Sequence, residues 1–439
     1  MRRFVSAGAA ALAALLLARG AAAQDTTKAY EGVRVGINYT PGARPGLVVI
    51  PGTGLDSVRA IVRRDLDYSD RFEMIQMADP GRAGADATPG PINYGLFKAL
   101  GADFAVELLD QSGKTTVRLH DVGRSLLVNQ QSVALPPPTD ANFRLAVHVL
   151  SDEIVRWATG TPGIAATRVL YVQNGRIWQM DSDGAAARPL TPDGQTSLSP
   201  AWAPDGRRMA FTKLVEGRGG VFIQTIATGE VSQLPGTNVG LNITPMFAPD
   251  GQHVVYARSD EKGTDIFVAP LGGGAPQRLT VGRFADNLSP TYSPDGRRIA
   301  FISTRAGPPQ LYVMGADGTE QELLAPFDFG VTGPSYAPEW SPDGSSVVFH
   351  REVSGTPQVF VLTVAGRKLR QITSTGRNED ATWAPDGRHL CFVSDRTGAR
   401  QLWVIDAETG RNRQLSTPGW ARLPAWSRRL AGAAVVSNP

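Results

Sequence analysis

The sequence predicts a six-bladed β-propeller built from Pro-Asp-type repeats, closed by its own C-terminal strand and preceded by a small α/β domain. Three observations carry the prediction. First, the stretch SPAWAPDGRRMAF at residues 199–211 recurs as TPMFAPDGQHVVY (244–256), SPTYSPDGRRIAF (289–301), APEWSPDGSSVVF (337–349) and DATWAPDGRHLCF (380–392). A sixth copy, LPAWS at 423–427, stops before the turn. Second, the aromatic positions Trp202, Phe247, Tyr292, Trp340, Trp383 and Trp426 lie 45, 45, 48, 43 and 43 residues apart, a period expected of propeller blades. Third, the unit at 168–191 has no aromatic-Pro-Asp-Gly strand before it, and the copy at Trp426 has nothing after it. Together the two fragments make one blade.

Each repeat reads as four strands. The residues up to the aromatic form the first. Pro-Asp-Gly then makes a tight turn, with Pro fixing φ, Asp bonding the next amides and Gly taking a positive φ. Short apolar runs such as Ile299-Ala300-Phe301 form the second strand. Alternating runs such as QVFVLT from Gln358 form the third, and an outer strand ending in Leu-Thr or Leu-Ser the fourth. The propeller is expected over 168–430.

From the N-terminus, residues 1–23 read as a secretory signal: Arg2-Arg3, an apolar run over 9–18, then Ala21-Ala22-Ala23. That run is too short to span a bilayer. The formal charge of +3 is carried by Arg2, Arg3 and Arg19 in this segment, so the remainder is near neutral and has no electrostatic bias toward nucleic acid or anionic lipid. The expected product is a soluble, exported monomer without direct membrane insertion. Residues 24–45 contain the alternation Val33-Arg34-Val35-Gly36-Ile37 and have two readings, a flexible terminus with one added strand or a segment offered to a partner.

Residues 46–161 leave the propeller period and predict the α/β domain. LVVIPG at 47–52 and FEMIQM at 72–77 are strands, and 55–66 is a helix. A short helix follows at 94–100, then a three-stranded meander over 102–135. Asp140 is the expected N-cap of a helix running to Ala158. Residues 431–439 are expected to be a disordered tail.

The search for chemistry excludes more than it finds. His253 and His389 share a repeat position that elsewhere holds Arg208, Arg298 or Ser346, and so read as solvated strand sites. No histidine pair has metal-site spacing, and no G-x-S-x-G elbow occurs. Asp181-Ser182-Asp183-Gly184 reads as a hairpin turn, because it lacks the distal oxygens of a calcium loop. The single Cys391 reads as a small buried hydrophobe. No cofactor is expected. Inner strands line the channel of a propeller, so the residues before each aromatic crowd one mouth, and their variation there points to a binding face or to ordinary loop freedom. Glu339, Glu379 and Asp380 are the only acids placed as a central enzymatic site of lactonase or lyase type would need. A sensor or scaffold propeller is a third reading.

The ordered set of an export signal, VRVGINYT at 33–40, Ser151-Asp152-Glu153, TRVLYV at 167–172, Pro-Asp-Gly blades and LPAWS at 423–427 resembles the TolB family of the periplasmic Tol–Pal system. The resemblance implies a non-enzymatic adaptor acting in outer-membrane integrity and constriction during division. It also implies two partners, the Pal lipoprotein at the propeller mouth and the TolA C-terminal domain at the N-terminal segment. On this sequence the implied Pal face is Asn242, Thr244, Leu288 and Ser289, with Glu379 and Asp380 beside them. The implied TolA segment is Val33, Arg34, Val35, Gly36 and Ile37.

Overall fold

The computed structural model describes residues 44–52, 54–77, 92–215, 218–282, 285–326, 332–416 and 419–430. The segments 33–37 and 431–439 and the signal region therefore lie outside the described residues.

The N-terminal part is a five-stranded mixed sheet. Its strands are β1 (Gly46–Val49), β2 (Glu73–Ile75), β3 (Phe104–Gln111), β4 (Lys114–Asp121) and β5 (Leu126–Val133), in the order β2-β1-β3-β4-β5. Helices α1 (Asp56–Tyr68) and α3 (Phe143–Thr159) cover one face. Val58, Ile61, Val62 and Leu66 recur at helical spacing on α1 and meet Val147, Leu150, Ile154 and Val155 of α3 over Leu47, Val106 and Leu119. The short helix α2 (Tyr94–Ala99) puts Phe97 against Val48 and Ala105 on the other face. One boundary differs from expectation. Asp140 does not cap α3; its carboxylate accepts the Asn142 amide at 2.7 Å in a turn, and the helix begins three residues later.

The rest of the described chain is a β-propeller. Four sheets have four strands each, and an eight-stranded sheet joins the repeats starting at Thr196–Trp202 and Leu241–Phe247 through the single parallel pair Gly219↔Leu241. The inner strands Thr196–Trp202, Leu241–Phe247, Asn287–Tyr292, Thr332–Trp340, Asn378–Trp383 and Ala421–Trp426 each touch the next, and the last touches the first. Each Pro-Asp-Gly turn is built as its residues require. Asp205, for example, accepts the amides of Arg207 (2.7 Å) and Arg208 (3.2 Å), while Gly206 takes φ 66°.

The C-terminal strand closes the ring. Ala421–Trp426 pairs antiparallel with Arg168–Gln173, so residues from opposite ends of the propeller share one sheet. Trp426 Nε1 donates to Thr167 Oγ1 (2.7 Å), its backbone amide donates to Thr382 Oγ1 (3.1 Å), and the Arg168 amide donates to Ser427 Oγ (2.9 Å).

The N-terminal sheet docks on the turn side of the last and first sheets through buried charge. His148 of α3 donates from Nδ1 to Asp65 (2.8 Å), and its Nε2 lies 3.6 Å from Asp181 of the propeller. Asp181 and Asp183 also pair with Arg144, Asp183 with Arg64, and Asp181 with Arg168. Burial alone would lower the His148 pKa, and Arg144 at 3.3 Å opposes its charge; Asp65, Asp181 and Asp183 outweigh both and raise it to about 10. A reciprocal clamp runs the other way. His389 of the propeller bonds Asp386 through Nδ1 (2.7 Å) and Asp70, just beyond α1, through Nε2 (3.1 Å). It is fully buried, which corrects the solvated reading. The equivalent His253 is half-exposed, whereas Asp70 of the N-terminal layer covers His389. The Asp181–Gly184 turn is a hairpin as expected, and its carboxylates are also the propeller's anchor for Arg144 and Arg64.

Two outcomes follow from this packing. Trp426→Ala should cost about 3–5 kcal/mol in denaturant unfolding, through the cavity and the lost Thr167 bond. The raised His148 pKa makes its contribution complete below about pH 6.5 and lost as pH rises toward about 10. His148→Gln should therefore lower the thermal midpoint at pH 6, and should flatten its decline between pH 6.5 and 10.

Candidate functional site

The mouth of the ring is set by one backbone feature that repeats six times. Ser199, Thr244, Ser289, Ala337, Asp380 and Leu423 have φ between 48° and 53°, a left-handed conformation rare for residues other than glycine. Each coincides with a register break in its inner strand, and in all but the Asp380 copy the next residue is proline. Proline withholds an amide that an inner strand, bonded on one side only, does not need. The bulge re-aims the preceding side chains, and Thr244, Leu288, Ser289, Glu379 and Asp380 are all left half-buried at the mouth.

Asn242 is a different case. Its side chain is fully buried, with Nδ2 donating to the carbonyls of Gly219 (2.8 Å), Thr237 (3.1 Å) and Val239 (2.9 Å) and Oδ1 accepting from Arg258 Nε (3.0 Å). It therefore fixes the loop and cannot itself face a partner. The same device recurs at Asn287 with Arg305, Ser335 with Arg351 and Asn378 with Arg396, at sequence separations of 18, 16 and 18. The guanidiniums also lie over blade aromatics, Arg258 over Phe267 at 4.4 Å and Arg396 over Trp403 at 4.7 Å. The recurring Asn and the Arg that follows at near-constant spacing were the available sequence signal.

The acids near the channel are engaged by the ring. Glu339 Oε1 accepts the Trp383 amide (3.0 Å) and the Thr382 hydroxyl (3.1 Å), tying two inner strands together; burial nevertheless pushes its pKa up to about 7. The Asp380 amide donates to His350 Nδ1 (3.2 Å), and burial raises the Asp380 carboxyl while lowering the His350 imidazole. Glu379 pairs with Arg377 (3.3 Å) and Arg400 (3.7 Å). Sequence reasoning did not single out these arginines, or the exposed Trp420 beside Arg400.

Two further groups bring a histidine and two carboxylates together, Asp65–His148–Asp183 and Asp70–His389–Asp406. Arginines already supply the positive charge a metal would bring: Arg64 and Arg144 at Asp183, Arg411 and Arg413 at Asp70, Arg388 at Asp406. Cys391 is buried among Val393, Leu402 and Trp426, and burial pushes its thiol pKa up, away from reactivity.

The structure is thus that of a Pro-Asp-repeat β-propeller carrying a docked α/β layer and a loop-lined mouth. The family described as TolB beta propeller domain matches residues 155–328 and 329–437, and the chain belongs to that family. Among curated relatives, the Tol-Pal system protein TolB of Methylococcus capsulatus is 33% identical over 216 residues, covering 45% of this chain and 50% of that protein. The Tol-Pal system protein TolB of Bordetella avium is 29% identical over 222 residues, covering 48% of each. The chain spans about half the length of these curated relatives in the matched stretch. A crystal structure of TolB from Acinetobacter baumannii shares the fold, with a TM-score of 0.75 and 24% identity over 88% of this chain and 98% of that one. Among the described residues no helix is long and apolar enough to cross a membrane.

Asn242→Ala should cost about 1–3 kcal/mol in denaturant unfolding, since it strips partners from Arg258, two buried carbonyls and one part-buried one. A surface role would instead leave stability unchanged.

Proposed function

We propose that this chain is a periplasmic, monomeric, non-enzymatic adaptor of the Tol–Pal envelope system. It binds the Pal lipoprotein at the propeller mouth and TolA through residues 33–37. In this reading 46–161 is a separate α/β domain and the ring has six blades, the eight-stranded sheet being two blades joined at Gly219↔Leu241. The closed cycle of six inner strands supports that count.

The observation that carries the adaptor reading is the mouth itself. Thr244, Leu288 and Ser289 are presented, half-buried, on a bulged frame held by Asn242 and Asn287, whose side-chain amides are bonded within the ring. Such a surface can hold a partner without reorganising, which keeps the ordering cost of binding low. An enzyme of lactonase or lyase type needs convergent acids free to act; the Glu339 and Glu379 carboxylates are engaged by ring residues, and that of Asp380 lies 4.0 Å from His350. Membership of the TolB family, together with relatives named Tol-Pal system protein TolB, supports the choice of system. The N-terminal segment and the mouth are coupled in this proposal, each favouring one of two arrangements.

The test is isothermal titration of residues 24–439 with lipid-free Pal from the same organism. One-to-one binding is expected, weakened at least about tenfold (about 1.4 kcal/mol) by Ser289→Arg or Thr244→Arg in samples with unchanged thermal midpoints. Absence of binding to well-folded protein would remove the Pal assignment. The same titration with residues 24–39 deleted should shift the affinity; an unchanged value would remove the coupling and leave the adaptor role standing.

A further inference from the structure

Beyond the mouth position itself, the charge and apolar surface around it are lopsided. At the residue before each left-handed position the ring carries Leu198, Ile243, Leu288, Tyr336, Glu379 and Arg422. Four successive strands are therefore uncharged there, and charge at this position is confined to the strands Asn378–Trp383 and Ala421–Trp426.

The largest exposed apolar side chain of the ring lies on that charged side. Among the described residues, Val215, Val231, Val239, Val281, Leu369 and Trp420 are the propeller's exposed large hydrophobics, and Trp420 is the only aromatic, at 65% exposure. Its place is fixed by the neighbouring sheet. The Ala421 amide donates to the Arg400 carbonyl at 3.0 Å, and the Arg400 guanidinium lies 5.9 Å from the indole. Arg400 and Arg377 both reach Glu379. Trp420, just before the strand, and Arg422, within it, flank the buried Ala421 and are both exposed. Among the described residues the Arg422 side chain, which is exposed, makes no hydrogen bond or ion pair. Arg377, Arg400 and Arg422 thus line this arc, with the half-buried Glu379 shared by Arg377 and Arg400; the equally half-buried Asp380 lies 4.0 Å from His350, and Asp395 accepts the Arg377 backbone amide.

We propose that the partner docks off-centre on the mouth, anchored by Trp420, and presents an acidic protein surface whose carboxylates meet Arg377, Arg400 and Arg422. This rests on the mouth-binding reading above and specifies which arc carries it. Trp and Arg are the side chains that most often dominate interface energies, because an indole fills a pocket at low entropic cost and a guanidinium holds a carboxylate with two parallel bonds. Glu379 is shared by two guanidiniums, and among the described residues Arg422 has no carboxylate partner, so the guanidinium donors left over on this arc set the sign of the partner. The open display of Trp420, 65% exposed, suits the surface of a folded protein better than a small ligand, which calls for an enclosing cavity.

The experiment uses the 24–439 chain and lipid-free Pal from the same organism as the probe, titrated at about 50 and about 300 mM salt, a range over which exposed charge pairs are progressively screened. Wild-type affinity should fall with salt. Trp420→Ala should weaken binding at least about tenfold, a hot-spot loss. Arg422→Glu should weaken it similarly and flatten the salt dependence, while Arg422→Lys should keep most of the affinity. Trp420 and Arg422 are exposed, so thermal midpoints should not move, and Val231→Ala on an outer strand serves as the neutral control. Wild-type and Ser289→Arg behaving as the mouth reading expects, with Trp420→Ala and Arg422→Glu binding like wild type, would overturn the off-centre arc alone. Tighter binding by Arg422→Glu would overturn the acidic partner. No binding by the wild type would overturn both readings.

Discussion

Everything in the ring depends on the pairing of Ala421–Trp426 with Arg168–Gln173. A propeller sheet has no covering layer of its own; each sheet is buried by its two neighbours, so one open junction would expose two apolar faces and two strand edges. The closure strand satisfies this with ladder bonds, with Trp426 wedged among Tyr171, Cys391 and Val404, and with the indole bonded to Thr167. Trp202 reaches back to the Ala425 carbonyl from the other side (3.1 Å), so the junction is tied in both directions.

With the ring closed, the inner strands can afford an irregular backbone. Six non-glycine residues in left-handed conformation would be a liability in a free strand, each costing on the order of 1 kcal/mol or more. Here the Asn–Arg–aromatic brackets behind the mouth hold the loops in place, and Glu339 and Thr382 accept backbone amides from the next inner strand. The result is a stiff rim from which a few side chains project. Binding at such a rim is governed by which residues project and by their charge.

The second constraint is the charged dock between the N-terminal sheet and the propeller. His148 and His389 each bond a carboxylate on their own side and face one on the other, so neither surface is balanced alone. Breaking such contacts would leave buried ions uncompensated, which is costlier than never having formed them. The propeller thereby commits one side of two sheets to its own N-terminal layer, and the mouth and Trp420 lie on the opposite side.

The sequence by itself determined the repeat, the turns and the closure, because these are local: Pro-Asp-Gly sets a turn within four residues, and an aromatic recurring every 43–48 residues leaves little choice of architecture. It also placed the two long helices within a few residues, although Asp140 sits in the turn before α3 and not at its cap. What the tertiary structure decided was the role of individual polar residues. Asn242 looked like a mouth contact and is a buried bracket, because its partner Arg258 comes from the adjacent strand. His389 looked interchangeable with His253 and is a buried clamp, because a layer folded from residues more than 300 positions away covers it. Trp420 carried no motif, and its meaning arises from Arg400, Glu379 and Arg377 converging from a neighbouring sheet. Local rules fix backbone geometry, whereas burial and charge balance are properties of what arrives from elsewhere in the chain.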